Sequence, residues 1–482
     1  MLTAGVLCLA AMSTCLPQRK PTLDTGQATA GFARTSQATA GFAQTSQAEP
    51  PKLVDKGNDV IVFFTGNELG ALKPCGCSGG QLGGLDRRLA VFASVPKHRR
   101  LIVDTGSLVE SDSEQNLIKF NIIMQSFGLL GYDVVNLTGK DIEIGKSLGL
   151  LDSTSWAFNI ISSRRQPDAN VPVKFTKVLR TRNRALTVTI ATFDMEASPP
   201  HIWREQMGKF FGQPPPAFLR KQEGGRNVNI AVLNRCDAAI IGSIADKAPA
   251  VDCLVCPAES DDPMMIGDPN KRPLVFSVGR FGRYVSVLRI TDGNGEKLKI
   301  GFSTIPVNEN LLPENSLVEL YKTYQQLVKD DRLLEKMGRF ALPDNLKYVG
   351  SDSCKICHEY EYQMCSSQGH AHAYATLEKV GSQYDPDCVV CHTVGMKYES
   401  GFISEEKTGH LKDVGCENCH GPGSEHIQSL GRAKSSDPKS RCVDCHTPEQ
   451  SRDYAANQQL YFDKIVHWRE PNAPGDVKKK ED

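Results

Sequence analysis

The 482-residue chain has no excess of charge of either sign: 56 Lys and Arg balance 56 Asp and Glu. A nucleic-acid binder would carry a basic excess, and a polybasic grip on anionic lipid would need one too, so the balance argues against both. Beyond the first residues no segment is apolar enough to cross a bilayer. At 40% hydrophobic and 23% charged the composition is that of a soluble globular protein, and the length predicts two or three domains. Histidine is scarce, with 11 residues, yet nine lie between His358 and His467. A folded core has no need of that cluster, whereas metal centres do. Cysteine, with 16 residues, is the loud exception to this plain composition.

The stretch Met1 to Leu16 is short, apolar and ends in small residues. It is too short to span a bilayer and reads as a signal peptide over residues 1–16, although no Lys or Arg precedes the apolar run. Met12-Ser13-Thr14-Cys15 loosely resembles a lipoprotein cleavage box, so a lipid anchor on Cys15 stands beside a plain cleaved signal. Residues 17–57 contain a tandem decapeptide, QATAGFARTS then QATAGFAQTS, too short to bury a core; this segment reads as a flexible tether.

From Asn58 the pattern changes. Val60 to Phe64, Leu101 to Val103, Asp133 to Leu137, Leu186 to Ile190, Val228 to Leu233, Ala238 to Ile241 and Leu274 to Val278 read as buried strands. Stretches with helical spacing, such as Leu117 to Leu130, lie between them, so a layered α/β domain is predicted over residues 58–310. Within residues 311–346, Leu317, Leu320, Tyr321, Tyr324, Val328 and Leu334 recur at helical spacing over 314–337, with Gly338 as the stop. That helix links to a Cys/His-rich domain over residues 347–470, poor in strand signals, and a charged tail follows at 471–482.

Four Cys-x-x-Cys-His motifs punctuate the last third: Cys354, Cys357 and His358; Cys388, Cys391 and His392; Cys416, Cys419 and His420; Cys442, Cys445 and His446. Two thiols three residues apart can add to the two vinyl groups along one edge of a haem, and the adjacent histidine then sits under the iron as its proximal ligand. Paired thiols alone would suit zinc, but zinc leaves the histidine after each pair unexplained. Four c-type haems are therefore expected. They would fill the interior that side chains otherwise fill, so helix and loop suffice. Covalent haem attachment takes place outside the bacterial cytoplasmic membrane, which implies an exported protein, periplasmic or associated with the cell envelope. Sixth ligands must come from His370, His372, His410, His426 or His467, or from none.

The phrases YVGSDSCKICH, GHAHAYATL, DCVVCHTVG, GFISEEKTGHLKDVGCENCHGPGSEH, RCVDCH and FDKIVHW resemble the tetrahaem cytochrome c family of ammonia oxidisers, which accepts electrons from hydroxylamine oxidoreductase. The resemblance spans about residues 347–468. It implies distal ligation by His370, His426 and His467, with His372 as competitor for the first place and His410 outside the ligand set. It also implies that the second haem, on His392, is five-coordinate and open to a small molecule such as nitric oxide or hydroxylamine.

More faintly, VIVFFTGNELGALKPC, LIVDTGSLVES, YDVVNLTGKDIEIG, CDAAIIGSIAD and KRPLVFSVGRFGRYVSVLRI are similar to the periplasmic 5′-nucleotidase branch of the metallophosphoesterases, which hold two metals. The ligand positions depart from that pattern. The first Asp and His fall on Asn67 and Leu69, the bridging Asp on Ser107, the Asn-His pair on Lys140 and Asp141, and the late histidines on Ser243 and Ala245, leaving Asp104 and Asp141 as remnants or as structural carboxylates. Leucine and alanine cannot bind a hard cation and lysine repels one, so an active phosphatase or nucleotidase is not expected. Cys75, Cys77, Cys253 and Cys256, with Cys236 and Cys365, leave three readings open: disulfides, a four-thiolate zinc site from the first four, or a redox-active pair.

The leading expectation is electron transfer between redox partner proteins. The alternatives are a haem enzyme acting on a small nitrogen or sulfur compound, and a ligand-binding module coupled to the haems.

Overall fold

The computed structural model describes residues 53, 58–74, 80–164, 171–182, 184–196, 199–212, 226–248, 250–292, 298–436, 438–448, 450–451 and 453–468. The expected signal peptide, almost all of the tether, Cys75, Cys77 and the charged tail lie outside the described residues. Residues 48–482 form one compact unit.

Among the described residues twelve strands build two sheets. In chain order they are β1 (Asp59–Thr65), β2 (Arg100–Asp104), β3 (Val134–Asn136), β4 (Asn159–Ile161), β5 (Lys174–Arg180), β6 (Ala185–Phe193), β7 (Arg226–Leu233), β8 (Cys253–Cys256), β9 (Met265–Ile266), β10 (Leu274–Ser277), β11 (Tyr284–Thr291) and β12 (Lys299–Pro306). One sheet runs β12-β11-β1-β2-β3-β4 and the other β5-β6-β7-β8-β10-β9. β1 to β4 pair in parallel, with helices in the connections, while the hairpin of β11 and β12 returns antiparallel against β1.

Alternation of side chains along each strand makes the layers. Val60, Val62 and Phe64 point toward the second sheet and pack on Val188, Ile190, Val228 and Phe276. Ile61 and Phe63 point the other way, onto the helix Glu114–Leu130 through Phe120, Ile123 and Phe127. The outer face of the second sheet is covered by the helices Pro200–Phe211 and Ala238–Lys247 through Trp203, Met207 and Ile244. The result is helix, sheet, sheet, helix: a layered α/β region, followed by a helix-and-loop region from Tyr348 to Trp468.

Two sequence expectations need correction. Ala238 to Ile241 is helix, not strand: Asp237 accepts a hydrogen bond from the Ile240 amide and caps the start, and Ile240, Ile241 and Ile244 then fall on one helical face. The helix expected over 314–337 runs Asn315–Asp330 and breaks at Arg332, whose φ is 52°, before a short turn Leu333–Lys336. The longer helix belongs to the α/β core, where Leu317, Tyr324 and Val328 pack beside the helix Glu114–Leu130. Leu333 is buried in that core and its neighbour Leu334 in the small core of the Cys/His-rich region, so the turn ties the two together.

Candidate haem site

Each motif is shaped as a helical turn. The second and third lie in the helices Pro386–His392 and Cys416–His420. In the first and fourth, the His358 amide donates to the Cys354 carbonyl at 3.0 Å and the His446 amide to the Cys442 carbonyl at 2.8 Å. A turn of this kind puts residues i, i+3 and i+4 on one side, so two thiols and the histidine face the same space. The motifs also approach in pairs: Cys354 is within hydrogen-bonding reach of Cys416, and Cys391 of Cys445. The first motif thus neighbours the third, and the second the fourth.

The histidines outside the motifs divide cleanly. The rings of His358 and His426 lie 6.1 Å apart between centres, those of His370 and His446 6.2 Å, and those of His420 and His467 6.2 Å. Two metal–imidazole bonds of about 2 Å each account for most of such a separation, and the two half-rings for the rest. His372 and His410 are both exposed, His410 with its ring against Gly350.

Ring nitrogens are oriented as well as placed. Nδ1 of His392 lies 2.7 Å from the Ala373 carbonyl, that of His426 2.7 Å from the Ala433 carbonyl, and that of His467 2.8 Å from the Ile465 carbonyl. A carbonyl only accepts, so each Nδ1 donates to it, and Nε2 is the nitrogen left to face a metal. Burial first, and neighbouring histidines second, hold His370 and His420 below the usual imidazole range, which also favours the neutral ring.

A cavity of about 490 Å³ lies where these groups converge. It is lined by the first and third motifs with His370, His426 and His467, and by apolar groups including Phe462 and Trp468. The residues fit c-type haem: paired thiols on one edge, imidazoles at iron-spanning distance, and an apolar cradle. Haem bound there would supply a one-electron iron centre.

At the positions corresponding to metal ligands in the α/β region the side chains are engaged otherwise. Asn67 donates to the Gly279 carbonyl at 3.1 Å. Asp104 is fully buried and accepts from Thr65 Oγ1 at 2.6 Å and from the Gly106 amide at 2.8 Å. Burial first, and the charge of Glu68 second, push its carboxyl up to about 8. Asp141, also buried, accepts from the amides of Ser107, Leu108 and Thr138 and so caps the helix Gly139–Ser147. Both carboxylates are structural. Lys140 donates to the Glu110 carbonyl at the surface, and Gly242 to Ala245 lie within the helix Ala238–Lys247.

Between these loops sits a cation of another kind. Arg88 is fully buried and forks onto Glu68, at 2.6 and 2.5 Å, with Tyr132 3.1 Å away. Gly282, at φ +57°, lies so close that a Cβ would stand 1.8 Å from the guanidinium. Nothing in the local sequence around Arg88 marks this pair; 20 positions separate it from Glu68. Among the described residues no group of three or more His, Cys, Asp or Glu side chains is arranged to hold a metal ion.

The four-thiolate zinc set is not formed. Strand alternation puts Cys253 in the core between the sheets and Cys256 on the outer face, where its sulfur is bonded to Cys236. For the same reason Cys253 and Cys256 do not pair with each other. Cys253 is a buried free thiol, and burial pushes it far above the usual range. Cys365, a free thiol, lines the haem cavity.

A family model described as cytochrome c554 and c-prime matches residues 353–421. A curated relative, cytochrome c-554 of Nitrosomonas europaea, is 32% identical over 98 residues, 17% of this chain and 42% of that protein, so the chain spans less than half the length of the relative it matches. Among solved structures, a 5′-nucleotidase precursor from Thermus thermophilus superposes with a TM-score of 0.41 at 14% identity, covering 73% of each chain. The NAD nucleotidase of Haemophilus influenzae gives 0.41 at 11% identity, covering 61% of this chain and 64% of its own. The likeness to the nucleotidases falls on the α/β region, and the Cys/His-rich region is similar to cytochrome c554. Among the described residues no helix is long and apolar enough to cross a membrane.

Proposed function

We propose that the chain is an exported electron carrier with four c-type haems, passing electrons between redox partner proteins. The haems are attached at Cys354 and Cys357, Cys388 and Cys391, Cys416 and Cys419, and Cys442 and Cys445, with His358, His392, His420 and His446 as proximal ligands. His426, His370 and His467 are the distal ligands of the first, fourth and third haems. The observation that carries this reading is the set of three histidine pairs at 6.1 to 6.2 Å, each joining one motif histidine to one outside the motifs. An iron closed on both sides by imidazole binds no substrate and is suited to electron transfer. The pairing of motifs, first with third and second with fourth, would set the haems held there beside one another, as handing on electrons requires. The α/β region, residues 58–310, serves as a docking or specificity module. Covalent haem attachment, which takes place outside the bacterial cytoplasmic membrane, supports a location in the periplasm or at the cell envelope.

Optical and EPR spectra of the purified ferric protein test this, with a haemochrome count and added nitric oxide. Four haems are the expected result, three of them low-spin and inert to nitric oxide and the second, on His392, for which no distal histidine is assigned, high-spin. A count below four would defeat the reading. Turnover of a small nitrogen or sulfur compound at the second haem would make the protein a haem enzyme.

A further inference from the structure

The helix that carries the second motif, Pro386–His392, is gripped from the α/β side. Asp385 caps it, accepting from the Asp387 amide at 3.0 Å, and the Asp385 carbonyl accepts from the Cys388 amide at 3.0 Å. The Asp385 carboxylate is buried. One oxygen accepts from Gln115 Nε2 at 2.8 Å and the other from the Tyr324 hydroxyl at 3.0 Å. Gln115 belongs to the helix Glu114–Leu130 and Tyr324 to the helix Asn315–Asp330, both in the α/β core. Lys119, on the same face as Gln115 and itself buried, pairs with Asp387. Tyr321, beside Tyr324, completes the charged and titratable groups around the site. Asp387 is half-exposed and gives the cluster an outlet to solvent.

We propose, building on the four-haem reading, that Asp385 is a proton-binding site coupled to the second haem and assembled by residues of the α/β region. As one electron arrives from the redox partner at the haem held by Cys388, Cys391 and His392, one proton from solvent binds a carboxylate oxygen of Asp385, and the local charge is unchanged. The carboxyl stands three residues from a haem-attaching cysteine, in a dry site where charge is felt strongly. Burial first and Asp387 second push it up to about 6, with Lys119 opposing, so its proton is exchanged close to neutral pH. The α/β region then has a task beyond docking: Gln115, Lys119 and Tyr324 set the proton affinity of a group beside the electron path.

The test is spectroelectrochemistry of the full-length protein carrying its complement of haems, with each midpoint potential followed from pH 5 to pH 9. One potential is expected to fall with rising pH, by up to about 59 mV per pH unit, the one-electron equivalent of a tenfold change. Asp385→Asn keeps the cap and removes the proton site, so that slope should vanish while the other potentials stay put. Lys119→Gln removes the opposing cation and should move the slope to higher pH. If Asp385→Asn does not load haem, the Lys119→Gln shift decides the matter. Four pH-independent potentials, or a slope that persists in Asp385→Asn or stays at the same pH in Lys119→Gln, would overturn the proposal. A haem count other than four would overturn the underlying reading instead.

Discussion

The strands and helices between Asp59 and Leu333 fill three cores with their own side chains. The region from Tyr348 to Trp468 encloses, with Leu334, a cluster of only nine buried apolar side chains, and beside it a cavity of about 490 Å³. Folded interiors leave few voids larger than a water molecule, so such a space, rimmed by cysteines and histidines, has room for a large apolar group. The first region fills its interior with its own side chains, and the second leaves part of its interior to that group. The contrast extends to the charged groups. In the α/β region a guanidinium is buried against Glu68, and buried carboxylates cap or brace turns. In the Cys/His-rich region cysteines and histidines line the cavity instead.

The largest expected effect separates the regions outright. Protein made without haem attachment should keep slow amide exchange over β1 to β12 and lose it from Tyr348 to Trp468; protection of both regions would erase the contrast. Next comes Glu68→Gln, which leaves the buried Arg88 without its counter-charge and should cost about 3–5 kcal/mol. Denaturant unfolding followed by tryptophan fluorescence reads the loss, with the haem absorption unchanged in native buffer. Replacing both Glu68 and Arg88 by methionine should recover most of it. Cys236→Ser opens a cross-link spanning 20 residues, and the chain-entropy account puts that at about 3 kcal/mol, again within the α/β region. A further effect concerns pH. The folded state holds a proton on Asp104 that the unfolded chain releases at about pH 4. Stability of the α/β region should therefore fall as pH rises from about 4 to about 8, then level off. Asp104→Asn should flatten that slope, measured by thermal unfolding across the range.

Much of this was legible in the sequence where the signal is local. Val60 to Phe64 and Leu101 to Val103 declare themselves as buried strands, and each haem motif is five consecutive residues. The histidine pairs could be shortlisted but not matched, because His370 meets His446 and His420 meets His467 only after the chain has folded back on itself. Ala238 to Ile241 misled because a short apolar run fits either period, and the deciding feature was the cap at Asp237. Lys119 and Asp387 are 268 positions apart, and nothing in either neighbourhood announces the other. Cys253 and Cys256 stand three positions apart in the sequence, and the strand sets them on opposite faces.

The most direct test of the central claim is the intact mass of the exported protein. The account predicts an increment of four haems, falling to three when Cys416 and Cys419 are replaced by serine. A protein that carries fewer than four, or keeps its full increment without those cysteines, would contradict it.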